Sequence, residues 1–289
     1  MNYGIPYQGS KNKIAKDIID FLPSGKRLVD LFGGGMAITH CAMLTDKWNN
    51  FLYNDFNPLL KPLLIKAING DYNYDKFKPE FITREKFFEL KDTDGYVKWL
   101  WSFSNNGRDY LFGKQIEQEK QEMHNLVVFN KKSPVLEEKY GIKIELKETG
   151  IKERRLELKK IIRENKLGRC DIQQLERLEQ LQQLERLERL ERLELNCFDY
   201  KNYTYVDGDV VYCDIPYENT AGYGDEFNHK EFYEWVKTRT YPVYFSSYEI
   251  SDNSFDVVWQ KEKRSLMRGA KTKLYKIERI YTNGITGGV

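Results

Sequence analysis

The stretch that most constrains the fold is Arg27-Leu28-Val29-Asp30-Leu31-Phe32, a short apolar strand followed at once by Gly33-Gly34-Gly35 and a helical run from Met36 to Leu44. Three glycines between a strand and a helix let the backbone approach a ligand closely, because no Cβ stands in the way. In a doubly wound α/β sheet such a turn lies at the carboxyl edge of the strands, where ligands bind. Phe51-Leu52-Tyr53-Asn54-Asp55 reads as the next strand and ends in an acid 25 residues after Asp30. A carboxylate there is placed to accept both hydroxyls of a ribose. Asp55-Phe56-Asn57-Pro58 is also a helix-start signal, which makes a plain N-cap the competing role for Asp55.

A third strand-end acid follows Val210-Val211-Tyr212-Cys213, in the sequence Asp214-Ile215-Pro216-Tyr217. An acid, a proline-stiffened turn and an aromatic ring form a compact holder for a planar amine. The glycine loop and this turn lie about 180 residues apart with helical material between them. The economical architecture is therefore one α/β sheet, built from 1–57 and 200–289 and interrupted by a mainly helical insert over 58–199. Further strands are expected over Val243 to Tyr248, Val257 to Trp259 and Lys271 to Tyr281, with a helix over His229 to Val236.

Near the N-terminus, Tyr7-Gln8-Gly9-Ser10-Lys11 is a Gly/Ser turn with a cation, leading into a helical face of Ile14, Ala15, Ile18, Ile19 and Leu22. Ser10 is a candidate cap for that helix, which would offer backbone N–H groups and Lys11 to an anion. In the insert, Thr83 is placed to cap a helix through Leu90. The aromatic and amide-rich run from Trp99 to Lys114 contains Asn105, Asn106 and Arg108, donors suited to phosphates and base edges. A surface loop between two helices is the equal alternative for that run.

The segment before the return to the sheet carries a repeat with leucine at 175, 178, 181, 184, 187, 190 and 193. An α-helix turns about 100° per residue, so a three-residue period slips back by about 60° each step and the leucines circle the axis. A single core stripe is excluded, and a long 3₁₀-helix that would align them is uncommon. The expectation is a helix, with Glu185–Arg189 and Glu188–Arg192 as i,i+4 pairs, either wrapped by neighbours or partnered with another copy through the leucines.

Net charge is only +2, which argues against a polycation that binds nucleic acid indiscriminately. Eight Lys or Arg against Glu262 and Glu278 nevertheless crowd the stretch from Lys261 to Arg279. Cys41, Cys170, Cys197 and Cys213 lack CxxC spacing, and no run approaches the roughly 18 apolar residues of a membrane span. A soluble protein of a reducing cytosol, without disulfides, is expected. His40, His124 and His229 have no Cys or His partner at ligand spacing, so no metal is implied.

With these stretches in hand, the chain resembles the Dam-like, D12-class N6-adenine DNA methyltransferases, phage-encoded members most of all. Tyr7, Gly9 and Lys11 fit the family's N-terminal cofactor motif, Asp30-Leu31-Phe32-Gly33-Gly34-Gly35 its glycine loop, Asp55 its ribose acid, and Asp214-Ile215-Pro216-Tyr217 its DPPY motif. Ser246-Ser247 and Arg264-Ser265-Leu266 look like its downstream strand motifs, and Thr220-Ala221-Gly222-Tyr223-Gly224 like the tail of its catalytic motif. The resemblance implies a Rossmann-like methyltransferase sheet with a helical target-recognition insert. It also implies S-adenosylmethionine bound along Tyr7, Gly9, Lys11, Asp30, Phe32, Gly33, Gly35, Asp55 and Asp214, and double-stranded DNA as substrate. Contacts to DNA then fall to Asn105, Asn106, Arg108 and Lys114 in the insert and to Arg264 and Lys271 in the basic tail. The resemblance further implies that the target adenine is flipped out, that Asp214 and the Ile215 carbonyl take its two N6 hydrogens, and that Tyr217 stacks on the ring. Ile215 replaces the first proline of the family motif, but the carbonyl acts there and not the side chain. The same acid, proline and aromatic set also serves planar amides or amines in RNA or protein, and an idle DNA-binding module is the alternative outside enzymology.

Overall fold

The computed structural model describes residues 2–167, 172–218, 227–264 and 275–285. The chain begins with α1 (Ala15–Phe21), β1 (Arg27–Asp30), α2 (Ala37–Met43) and β2 (Asn50–Asn54). Seven helices follow among the described residues: α3 (Leu60–Ile68), α4 (Arg84–Leu90), α5 (Gly95–Leu100), α6 (Glu117–Phe129), α7 (Pro134–Tyr140), α8 (Ile151–Glu164) and α9 (Gln173–Gln182). The chain then forms β3 (Leu193–Asn196), β4 (Asp209–Cys213), α10 (His229–Lys237), β5 (Val243–Ser247), β6 (Asp256–Arg264) and β7 (Tyr275–Thr282). Two compact units result, one of Met1–Gly4, Gly9–Lys61 and Leu187–Val289, the other of Ile5–Gln8 and Pro62–Arg186.

The first unit is a mixed α/β, Rossmann-like unit around a seven-stranded sheet in the order β3-β2-β1-β4-β5-β7-β6. Its first five strands pair in parallel, and β7 inserts antiparallel between β5 and β6. The strands are short and apolar because parallel strands are covered on both faces; all five residues of β4 are buried. Val29, Leu52, Val211 and Phe245 pack with Phe232 and Val236 of α10 in one core. Register between β1 and β4 sets Arg27 opposite Asp209 and Asp30 opposite Tyr212. A bidentate ion pair at 2.9 and 2.7 Å from Arg27 to Asp209 pins that register at the amino end. Connections run to opposite sides of β1 and β4, so the crevice at their carboxyl ends is the switch point where ligands bind in open α/β sheets.

The start of α1 differs from expectation. Ile14 is the N-cap and makes no side-chain cap bond; Ser10 Oγ instead accepts from Asn12 N–H at 3.3 Å, a local turn that ends before the helix. Thr83 does cap α4, accepting from Lys86 N–H.

In the second unit, α6, α7, α8 and the start of α9 enclose Met123, Leu126, Leu136, Leu158, Ile162 and Leu175. Buried Arg154 donates to the Val127 and Val128 carbonyls at 2.5 and 3.0 Å, satisfying acceptors at the open end of α6.

The leucine repeat is not one helix. α9 stops at Gln182, a 3₁₀ turn covers Gln183–Arg186, Arg189 adopts a left-handed φ of 62°, a second 3₁₀ turn covers Leu190–Arg192, and Leu193–Asn196 is strand β3, parallel to β2. Leu175, Leu178 and Leu181 on α9, Leu184 in the first 3₁₀ turn and Leu187 after it are all buried within the chain. The expected i,i+4 pairs do not form. Glu185 accepts from Asn73, Arg189 pairs with Asp46 at 2.8 Å, and Arg192 pairs with Glu191 at 3.4 Å.

Among the described residues no helix is long and apolar enough to cross a membrane, and Cys41, Cys197 and Cys213 are free thiols. Cys170 lies outside them.

Candidate active site

At the carboxyl end of β1 the chain turns through the glycine loop. A Cβ on Gly33 would stand 2.3 Å from the Tyr53 ring, and Gly34 has a φ of +46°, so neither position accepts a side chain without strain. Asp55 reaches this loop directly: Oδ2 accepts from Gly34 N–H at 2.8 Å and Oδ1 from Asn57 N–H at 2.8 Å. One side chain thus braces the turn before α3 and holds the glycine loop. Burial raises its carboxyl above the ordinary value, and the two N–H groups oppose that.

Asp30 is buried, with Oδ2 accepting from Thr39 Oγ at 2.8 Å and no hydrogen-bond partner for Oδ1 among the described residues. Burial raises its pKa to about 7. Phe32 lies against Tyr200, Phe227 and Phe232, ring centroids 5.2 to 5.8 Å away, and helps close the core beneath the loop.

Gly4 packs on this loop from the N-terminus. With φ +63°, a Cβ there would meet the Gly35 carbonyl oxygen at 2.0 Å, and its N–H donates to His40 Nδ1 at 2.9 Å. His40 Nδ1 is thus an acceptor, and burial lowers the pKa of the ring to about 4.

Asp214 follows β4 at the adjacent strand end. Its Oδ1 accepts from Lys11 Nζ at 2.5 Å and Ser246 Oγ at 3.1 Å, and Tyr217 OH lies 3.3 Å away. No described residue donates to Oδ2, and a fifth of the side chain, 20%, remains exposed. Burial raises the Asp214 carboxyl, Lys11 pulls it down and Glu278 pushes it up again. Ser246 belongs to a chain of hydroxyls, since Tyr212 OH lies 2.8 Å from its Oγ. Asp214 takes the single Ser246 hydrogen, so Tyr212 is the donor to Ser246.

The turn after Asp214 is held at each residue. The Ile215 side chain is buried in the α10 core, which accounts for an apolar residue at this position. The Pro216 carbonyl takes a hydrogen bond from His229 Nε2 at 2.6 Å, so that nitrogen carries the proton. Tyr217 donates to Glu278, packs edge-on to Tyr248 at 4.6 Å and has Lys11 Nζ 4.6 Å above its ring. Glu218 accepts from Tyr233 OH and from Ser251 N–H, the latter at 3.1 Å.

Lys11, Asp30, Phe32, Gly33, Gly35, Asp55, Asp214, Ile215, Pro216 and Tyr217 all fall in the sheet unit around this edge. Lys11 pairs with Asp214. Gly9 is in the same unit with φ +78°, whereas Tyr7 groups with the helical unit, its ring 4.6 Å from Trp99. The expected DNA contacts divide. Asn105 donates to the Trp99 carbonyl at 2.7 Å. Asn106 accepts from the backbone of Arg108 and Asp109 at 2.9 and 3.0 Å and donates to Asp109 Oδ2 at 2.7 Å. These amides brace their own loop, as an Asx turn does. Arg108 and Lys114 are exposed. Arg264 closes strand β6; Lys271, Ser265-Leu266 and Thr220 to Gly224 lie outside the described residues.

Glu278 and Phe56 escaped the reading of the sequence. Glu278 stands two residues before buried Ile280 on β7 and so shares its inward face; a charge in that alternation was the available signal. Phe56, 74% exposed beside Asp55, is an aromatic ring left open to solvent at the same edge. Among the described residues no group of His, Cys, Asp and Glu could hold a metal ion. Comparison with protein families matches residues 7–282 to the family described as D12 class N6 adenine-specific DNA methyltransferase. A search of curated proteins found no match.

Proposed function

Because the chain belongs to the D12 class N6 adenine-specific DNA methyltransferases, we propose that it moves a methyl group from S-adenosylmethionine to N6 of an adenine flipped out of duplex DNA. The observation that carries this reading is Asp214, whose Oδ1 is fixed by Lys11 and Ser246 while no described residue donates to Oδ2. A carboxylate held by one oxygen, with no donor to the other among the described residues, is set to accept an N–H from an incoming amine.

The residues suit the donor. Each Asp55 oxygen accepts one backbone N–H and keeps a lone pair for a ribose hydroxyl. The glycine loop allows close backbone approach, and Phe56 offers a ring face to the donor's adenine. Among the described residues, the Lys11 ammonium is shared by the Asp214 and Glu278 carboxyl groups, an arrangement that suits a cation arriving at this edge. When bound, the donor supplies an electrophilic methyl on a sulfonium.

The chain's own residues then make N6 a better nucleophile. Asp214 Oδ2 and the Ile215 carbonyl accept the two N6 hydrogens, drawing the nitrogen lone pair out of conjugation with the ring. Tyr217 stacks on the base by the face opposite Lys11 and replaces a lost neighbour, worth about 1 to 3 kcal/mol. As N6 gains the methyl it must lose one proton, and Asp214 is the acceptor already in contact with it. Much of the acceleration comes from holding the two substrates in line.

The test is to supply donor labelled in its methyl group together with duplex DNA, RNA and protein in separate reactions. Label in duplex DNA is the expected result. Label in RNA or protein alone redirects the substrate, and salt-sensitive DNA binding without any label identifies an idle binding module.

A further inference from the structure

We propose that Glu278 is a positioning residue of the Asp214 site: it orients Tyr217 through the ring hydroxyl and shares the Lys11 ammonium with Asp214, leaving Asp214 an electron-rich oxygen for its substrate. The inference rests on the methyl-transfer reading above and adds a residue to it.

Glu278 is fully buried on β7. Its Oε1 accepts from Tyr217 OH and lies 3.7 Å from Lys11 Nζ, while Oε2 has no hydrogen-bond partner among the described residues. Its cross-strand neighbour is Lys261, which spends its ammonium on Asp17 at 2.6 Å. A carboxylate buried with one oxygen unsatisfied is a poor stabiliser of a strand, and an apolar residue of similar volume would serve packing better. Its surroundings give it another use. Lys11 Nζ stands 2.5 Å from Asp214 and 3.7 Å from Glu278, so a shift of about one ångström exchanges its principal partner. A carboxylate closely paired to an ammonium is a weak acceptor for an amine hydrogen, and a second carboxylate that draws the ammonium away restores its strength. The Tyr217 hydroxyl has one hydrogen; committed to Glu278, it competes less for Asp214, 3.3 Å away, and it fixes the plane of the ring.

The experiment compares wild type and Glu278→Gln on the same duplex DNA, measuring kcat, the KM of donor and DNA, thermal melting and the pH dependence of kcat. The amide keeps the volume and can still accept from Tyr217, but it no longer attracts Lys11. Loss of positioning lowers kcat roughly 10- to 100-fold, with both KM values changed by less than about twofold. Among the described residues the titratable groups facing Asp214 are Lys11 from the N-terminal turn, Tyr217 from its own turn, Tyr212 and Cys213 from β4, Asp30 at the end of β1, Asp55 after β2, Tyr248 after β5 and Glu278 from β7. Glu278 is among those that raise the Asp214 carboxyl. Its neutralisation therefore moves the acid limb of kcat to lower pH, a change that simple loss of stability does not produce. An unchanged kcat, or a lowered kcat whose acid limb stays in place, overturns the proposal. If Glu278→Gln does not melt cooperatively, Glu278→Asp is read instead. It keeps the charge but withdraws it by one methylene, so an intermediate kcat is expected and a wild-type kcat overturns the proposal. Wild type without turnover refutes the methyl-transfer reading, whereas turnover shared equally by wild type and variant refutes only the role of Glu278.

Discussion

Ser246→Ala probes the hydroxyl chain that holds Asp214. The substitution removes the donor at 3.1 Å from Asp214 Oδ1 and the acceptor of the Tyr212 hydroxyl at 2.8 Å. A hydrogen bond to a charged group contributes about 1.5 to 3 kcal/mol, and the long Ser246 contact belongs at the lower end. Losing this donor raises the Asp214 carboxyl, because the ionised form gives up a hydrogen bond. Asp214 must be ionised to accept the amine hydrogen, so the acid limb of the methylation rate moves to higher pH. This direction is opposite to that expected for Glu278→Gln. The second consequence is structural, because the fully buried Tyr212 hydroxyl loses its acceptor, at a cost of about 1 to 3 kcal/mol in unfolding free energy. Adding Tyr212→Phe removes the stranded group, so the double variant loses less than the sum of the single losses by about 1 kcal/mol. The assays are methyl transfer to duplex DNA from pH 5 to 9 and urea unfolding of the four proteins of the cycle. An acid limb that stays in place or moves down, or strictly additive stability losses, refutes the reasoning.

Three further outcomes are expected. Asp55→Ala removes the acceptor of both the Gly34 and Asn57 N–H groups; it weakens donor binding by an order of magnitude or more in calorimetry, by about 1.4 kcal/mol per tenfold, and an unaltered affinity would leave Asp55 as a turn brace alone. Leu178→Ala in the buried part of the repeat lowers unfolding free energy by about 2 to 5 kcal/mol without changing the sedimentation coefficient, since the leucine is fully buried within its own chain; a change in oligomeric state would return the repeat to an intermolecular role. Burial holds His40 and His124 near pKa 4, below the ordinary 6.5, so the unfolded chain binds more protons between these values and stability falls as pH drops from 6.5 to 4, by on the order of 3 kcal/mol per histidine. Denaturant midpoints that stay flat over that range would contradict it.

The parts of the fold that the sequence announces are those specified by contiguous residues. β1, β2 and β4 are apolar runs closed by an acid, and their order around the glycine loop follows from parallel-sheet geometry. β3 was hidden because it lies inside a repeat of helix-forming residues. The signal was small: Leu193 and Leu195 are two apart where every earlier leucine is three apart, and period two is the strand period. Asn106 illustrates the converse, since an amide suited to base edges is equally suited to its own turn, which it braces by accepting from the Arg108 and Asp109 N–H groups. The Asp214 site was legible as a turn but not as a network. Lys11, Ser246 and Glu278 come from segments 203, 32 and 64 residues away, brought together by the sheet and not by local sequence. Glu278 is the clearest case, a buried carboxylate in a strand that reads as a basic surface.

The most direct measurement is nucleoside mass spectrometry of duplex DNA incubated with donor and either wild type or Asp214→Ala, with donor affinity measured in parallel. The account predicts N6-methyladenine with wild type, none above background with Asp214→Ala, and measurable donor binding in both. Equal N6-methyladenine from the two proteins, or none from wild type, contradicts it.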